Sequence, residues 1–126
     1  MTGSEYQAHA MRTNDGLARD RLTTRLLYGI IKEKDVAGLL NGLMGLSGET
    51  GELLDLFKKW IFHEAELDEE HAQKELGDVM WYVTMICHSM RWNLDSIMEQ
   101  NIEKLRARYP EGFDTELSNH RKENDI

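Results

Sequence analysis

The sequence predicts an all-α fold, an antiparallel helix bundle with four main helices. Proline, which interrupts helices, occurs once in 126 residues, and no cluster of β-branched residues indicates a strand. Apolar residues instead recur in alternating steps of four and three, which is typical of one helix face packed against other helices. The length suits one domain with a modest core, so we expect a single domain over residues 1–126.

Residues 1–35 are predicted to form an N-terminal helical segment of one or two helices. The turn signal Asn14-Asp15-Gly16 separates two groups of apolar residues. Asp35 is the candidate N-cap of the next helix, because its carboxylate can accept hydrogen bonds from the free N–H groups of a first turn.

The next helix is predicted from Val36 to Phe62. Its apolar stripe consists of Leu39, Leu43, Leu46, Thr50, Leu53, Phe57 and Trp60. It also contains five glycines, Gly38, Gly42, Gly45, Gly48 and Gly51. Each glycine costs about 1 kcal/mol relative to alanine inside a helix. We therefore expect the close approach of another backbone, a break near residues 45–48, or a connector between two shorter helices.

An acidic connector, residues 63–70, leads to the third long helix. This helix is predicted from Glu69 to Arg91, with Asp68 as its N-cap and acidic residues in its first turn, where the helix dipole favours them. The short connector allows antiparallel packing on the preceding helix.

The fourth main helix is predicted from Leu94 to Arg108. Asn93 or Asp95 can cap its start, and Pro110 ends it. The motif-bearing helices then occupy residues 36–109, and residues 110–126 are expected to form a polar C-terminal arm.

Composition excludes several classes of protein. The formal net charge is −8, which argues against a nucleic-acid binder with a basic surface. The single cysteine, Cys87, excludes an internal disulfide and a cysteine-based zinc site, and we expect it to be a buried apolar residue. No signal peptide or membrane-spanning stretch is present, so a cytoplasmic location is expected.

Two acidic pairs stand inside otherwise apolar helical patterning: Glu49-x-x-Glu52 and Glu75-x-x-Asp78. A spacing of three puts each pair on one helix face, and antiparallel packing can bring both pairs to one cleft. Four carboxylates so close repel each other unless a cation lies between them. All-oxygen ligation suits Mg²⁺, or Mn²⁺ as a substitute, and these ions favour phosphate-bearing substrates.

Simpler and rival interpretations remain for these acids. Acidic pairs three apart usually face solvent, as Glu66 and Glu69 are expected to do, but none of the four acids has a lysine four residues further along the chain. A di-iron bundle needs Glu-x-x-His on two helices, and the nearest pattern is a single Asp68-x-x-His71. The histidines show no zinc-ligand spacing.

Cationic side chains follow both acidic pairs along the chain. The candidates for phosphate binding are Lys58 and Lys59 on one helix and Lys104, Arg106 and Arg108 on the last, near Asn101. Any one of them alone is best interpreted as surface charge. As a set near a metal they can bind a triphosphate, arginine through forked hydrogen bonds and lysine as a point charge.

These motifs together resemble the MazG-like all-α nucleoside triphosphate pyrophosphohydrolases. The resemblance runs from about Tyr6 to Phe113, and its combined spacing is specific. It is carried by Gly45-Leu-Ser-Gly-Glu49-Thr-Gly-Glu52-Leu, by Lys58-Lys59, by Glu75-Leu-Gly-Asp78-Val-Met-Trp-Tyr82, and by Asn101-Ile-Glu-Lys104-Leu-x-x-Arg108-Tyr-Pro-x-Gly-Phe113.

The resemblance implies a single MazG-like domain whose bundle is completed by oligomerisation, as a homodimer or a tetramer made from dimers. It implies magnesium-dependent cleavage of a (d)NTP to (d)NMP and pyrophosphate, in control or cleansing of the nucleotide pool. It places metal ligation on Glu49, Glu52, Glu75 and Asp78. It places substrate contacts on Lys59, Asn101, Lys104 and Tyr109. Either Glu49 or Glu52 would then orient the attacking water or take its proton.

Alternatives stay open at this point. The chain can be a non-catalytic helical interaction module, or a narrower hydrolase of dUTP or phosphoribosyl-ATP. The acidic pairs do not discriminate between bases. Trp60, Trp81 or Tyr82 can recognise the base, although core or interface packing is the preferred role for Trp81.

Overall fold

Six α-helices make up the part of the chain that the computed structural model describes, residues 1–123 and residue 125. They are α1 (Gly3–Met11), α2 (Ala18–Ile31), α3 (Val36–Phe62), α4 (Glu69–Met90), α5 (Leu94–Arg108) and α6 (Thr115–Asn119). No strand occurs among these residues. The predicted all-α class is therefore confirmed, and the three helices predicted with explicit bounds agree with α3, α4 and α5 to within one residue.

Side-chain caps set the starts of the main helices, as the sequence predicts. Asp35 Oδ1 accepts a hydrogen bond from the Gly38 N–H at 2.8 Å. Asp68 and Asn93 cap α4 and α5 in the same way, at 3.0 and 2.9 Å. Each carboxylate or amide oxygen satisfies an N–H group that has no partner within its own helix. Of the two candidates for α5, Asn93 is the one that acts as the cap.

The glycine-rich helix α3 is continuous, so the expected break near residues 45–48 and the connector between shorter helices are wrong. Three of its glycines instead face α4. A Cβ atom on Gly42 would lie 2.8 Å from Ile86 Cγ1, and a Cβ atom on Gly38 or Gly45 would collide with Ser89 or Tyr82. The contacts advance along α3 as they retreat along α4, which makes the pair antiparallel. Close backbone approach is therefore the reason for these glycines.

The C-terminal arm carries structure that the sequence analysis did not predict. Asp114 caps the short helix α6 by accepting hydrogen bonds from the backbone of Glu116 and Leu117. Beyond it, Asp125 forms a two-pronged ion pair with Arg108 at the end of α5. The chain after Pro110 thus folds back onto α5 instead of extending into solvent.

The interior of the single chain is small. The only buried apolar side chains among the described residues are Ala72 and Cys87, which confirms the prediction for the cysteine. Leu43 and Trp60 of the predicted apolar stripe are about half exposed, and so is Leu76 on α4. The substantial packing is that of α3 on α4, with a smaller contact of α2 on α3. In the described part of the chain, no helix has both the length and the apolarity to cross a bilayer.

Candidate metal centre

Three of the four predicted acidic ligands meet across the α3–α4 pair. One carboxylate oxygen each from Glu49, Glu52 and Glu75 can be chosen so that all three lie within 4.8 Å of one another. Glu49 and Glu75 are half-buried, and Glu52 is exposed. We call these three residues the acid cluster. Asp78 is exposed and lies outside this set, although its charge still acts on Glu49.

The acid cluster disfavours full ionisation of its own members. The pKa of Glu49 is raised, first by its partial burial and then by its hydrogen-bonding contact with the Glu75 carboxyl. The negative charges of Glu52, Asp78 and Glu75 raise it further. Burial and like charge both penalise the ionised form, so the three carboxylates hold one another in an electrostatically unfavourable arrangement.

The donor set of the acid cluster fits a hard divalent cation. All three donors are carboxylate oxygens, the ligand type that Mg²⁺ and Mn²⁺ prefer. A cation between them would offset the repulsion that raises the pKa of Glu49. Lys59, two turns beyond Glu52 on α3, does not neutralise the cluster, because its Nζ pairs with Asp55 at 2.7 Å.

A cavity of about 410 Å³ adjoins the acid cluster. Its lining consists of Gly48, Gly51, Glu52, Asp55, Leu56, Lys59, His71 and Glu75. Gly48 and Gly51 face open space, unlike the other three glycines of α3, so they leave room beside the carboxylates. Lys59, one of the candidates for phosphate binding, lies on the border of this cavity. Lys58 is exposed. The pKa of Asp55 is lowered most by its hydrogen bond to Lys59, and the positive charge of Lys58 lowers it further.

The predicted substrate residues of α5 line a different cavity. Lys104 and Arg108 border a space of about 370 Å³ enclosed by the C-terminal arm. Arg108 is the more buried of the two, because its Nε and Nη2 atoms donate to Asp125 at 2.6 and 2.5 Å. Tyr109 packs against Phe113 at 5.4 Å between ring centroids, and Asn101 is exposed on α5. Within one chain, these residues do not join the acid cluster.

The aromatic candidates for base recognition have separate positions. Trp60 packs edge-on against Phe57, with ring centroids 6.2 Å apart. Trp81 makes a similar contact with Tyr82 at 5.0 Å, and Tyr82 also covers the backbone at Gly45. Trp81 itself is 59% exposed in the single chain.

His71 is a neighbour of the acid cluster, although it was not among the predicted ligands or substrate-binding residues. Its Nε2 lies 2.7 Å from Glu75 Oε1, one helical turn away on α4. The signal that could have found it is the spacing of four between His71 and Glu75, which places both side chains on one face of the helix.

Comparison with known proteins establishes the family. Residues 39–113 match the sequence profile of the MazG nucleotide pyrophosphohydrolase domain. Because this match covers more than half of the chain, the protein belongs to that family, as its motifs predict. The Gene 37 protein of Mycobacterium phage L5 is 33% identical over 81 residues, which are 61% of this chain and 71% of the relative. No solved structure gives a significant match.

Proposed function

We propose that this protein is a magnesium-dependent nucleoside triphosphate pyrophosphohydrolase, which cleaves a (d)NTP to (d)NMP and pyrophosphate in control or cleansing of the nucleotide pool. The observation that carries the proposal is the acid cluster, three carboxylates within 4.8 Å inside the matched domain. When bound there, Mg²⁺ supplies Lewis-acid chemistry, offsetting phosphate charge and making an attacking water more acidic.

The acids of α3 and α4 have different roles at this centre. Glu49, Glu52 and Glu75 would hold the ion, and Asp78, the fourth predicted ligand, would add its negative charge from the edge of the cluster. Glu49 or Glu52 orients the attacking water and accepts its proton. The cavity beside the cluster gives a phosphate chain access, with Lys59 at its border.

The α5 residues require a second copy of the chain in this proposal. Lys104 and Arg108 line their own cavity, and α5 has no extensive packing on α3 or α4 within the described part of the chain. We infer that a homodimer, or a tetramer made from dimers, brings Asn101, Lys104, Arg108 and Tyr109 of one copy to the acid cluster of another. There they would bind the phosphates and stabilise the charge that builds on them during cleavage.

The test is pyrophosphate release from a panel of dNTPs and NTPs, including dUTP, in the presence of Mg²⁺. We expect release from at least one of them, and loss of most of this activity in Glu75→Gln with helicity retained by circular dichroism. Glu66→Gln serves as a matched control, because Glu66 is exposed in the connector and belongs neither to the cluster nor to the lining of its cavity. A full panel with no pyrophosphate above the blank would leave a non-catalytic interaction module as the better interpretation.

A further inference from the structure

We propose that His71 is a positioning residue for the metal centre, holding the Glu75 carboxylate in the orientation that a divalent ion requires. The proposal rests on the proposed function, because it concerns the same site. It assigns a role to a side chain that lies outside the four acidic ligand candidates and the substrate residues.

The contact between His71 and Glu75 differs from the other helical ion pairs of the chain. Its length is 2.7 Å, and the Glu75 side chain is only 14% exposed. The pair Lys74–Glu70 has the same spacing on the same helix, yet its carboxylate is 79% exposed. An exposed pair contributes little, whereas a half-buried carboxylate held by a donor loses much of its rotational freedom.

The backbone at the start of α4 fixes where His71 lies. Asp68 Oδ1 accepts a hydrogen bond from the His71 N–H at 3.0 Å, which caps the helix at this residue. The cap therefore holds the Cα of His71 one turn before Glu75. Both side chains line the cavity beside the acid cluster. The backbone position of His71 thus follows from a capping interaction that the sequence already predicts.

The chemistry of the pair leaves Glu75 free to bind an ion. A carboxylate that binds a metal ion is ionised and only accepts hydrogen bonds, so in the metal-binding arrangement Nε2 of His71 would donate to Oε1, 2.7 Å away. This bond occupies one of the roughly four lone-pair directions of the carboxylate, and Glu75 retains its second oxygen for the cluster. Hydrogen bonds to ligating carboxylates orient them, and losing such a bond typically weakens metal affinity by about 10- to 100-fold.

The experiment is a calorimetric titration of Mn²⁺ into the metal-free, full-length protein without nucleotide. It compares wild type, His71→Ala, His71→Gln and Lys74→Ala at equal protein concentration. We expect His71→Ala to weaken Mn²⁺ binding by about tenfold or more, and Lys74→Ala to bind as wild type does. His71→Gln should recover much of the affinity, because its amide N–H can still donate to Glu75. At saturating Mn²⁺, kcat of His71→Ala should approach that of wild type.

Three contrary results would lead to different conclusions. Equal Mn²⁺ affinity of His71→Ala and wild type would overturn the positioning role and leave the proposed function intact. Failure of wild type to bind Mn²⁺ would overturn the proposed metal centre and this inference with it. A nitrogen coupling in the electron spin echo spectrum of Mn²⁺-loaded wild type, lost in His71→Ala, would make His71 a direct ligand and so also contradict the positioning role.

Discussion

Glu49 illustrates how one side chain can serve a site at the expense of the fold. Its carboxylate is half-buried among the charges of Glu52, Glu75 and Asp78, and its pKa is raised as a result. A carboxyl whose folded pKa lies above its unfolded value of 4.5 reduces stability as the pH rises through that interval. Glu49 therefore lowers the stability of the metal-free protein most near neutral pH, where a bound cation would offset its charge.

We predict that Glu49→Gln raises the thermal stability of the metal-free protein near pH 7, because a neutral amide removes the repulsion. The gain should shrink towards pH 4, where wild-type Glu49 takes up its proton. The same variant should lose most of the stabilisation that Mg²⁺ gives to wild type, since a ligand stabilises only the state that binds it. Thermal unfolding with and without Mg²⁺ measures both effects.

Glu66→Gln is the control for this measurement, because Glu66 is exposed in the connector before α4. It should leave both the metal-free stability and the Mg²⁺ response unchanged. An unchanged or lower melting temperature of Glu49→Gln near pH 7 would mean that the acids do not repel one another in solution.

At the scale of elements, the α3–α4 pair carries the architecture, and its glycines set the distance between the two backbones. A Cβ atom on Gly42 would lie 2.8 Å from Ile86 Cγ1 and 3.5 Å from the Ile86 nitrogen. Because Ile86 is β-branched and stiff, it cannot easily move aside. The same spacing determines whether the acid cluster can close across the two helices.

We predict that Gly42→Ala destabilises the protein by about 1–3 kcal/mol, the usual cost of inserting a methyl group into a packed interface. Gly77→Ala is the matched control, since Gly77 lies inside α4 and a Cβ atom there would have nothing within 4 Å. This control should be about 0.5–1 kcal/mol more stable than wild type, because alanine is the better helix former. Urea unfolding at equal protein concentration measures both, and equal responses would contradict the close approach.

The elements were largely predictable because their signals are local. Asp35, Asp68 and Asn93 are capping residues next to strongly periodic segments, and each caps the helix that the pattern predicts. The glycines of α3 left several interpretations open, because a glycine that permits close packing looks the same in sequence as one that breaks a helix. Only the tertiary contact with α4 decides between them.

The candidate site was predictable only in part, for the same reason. Glu49, Glu52 and Glu75 converge because a single antiparallel pair of helices carries them. The positions of Lys104 and Arg108 depend on where α5 packs, and no local pattern encodes that. The pairing of Arg108 with Asp125 joins residues 17 positions apart across a bend, which periodicity does not reveal.

At the scale of the molecule, the single chain exposes far more surface than its mass warrants. Its accessible area is 10785 Å². A folded monomer of 14.6 kDa is expected to expose about 6,900 Å². Large apolar side chains that a complete bundle would bury are exposed along the helices. They include Ile31 on α2, Leu54 on α3 and Met80 on α4. These features support the proposal that further copies of the chain complete the bundle.

A shared site between copies predicts complementation between two inactive variants. Glu75→Gln removes a cluster acid and Lys104→Ala removes an α5 cation, so each variant alone should have low activity. After subunit exchange, a mixed oligomer contains one site that has both wild-type residues. For a twofold dimer with random exchange, the mixture should recover about a quarter of the wild-type pyrophosphate release. Sedimentation at the assay concentration checks that the mixed protein is oligomeric. A mixture no more active than its better component would place the acids and the α5 cations of each site in the same chain.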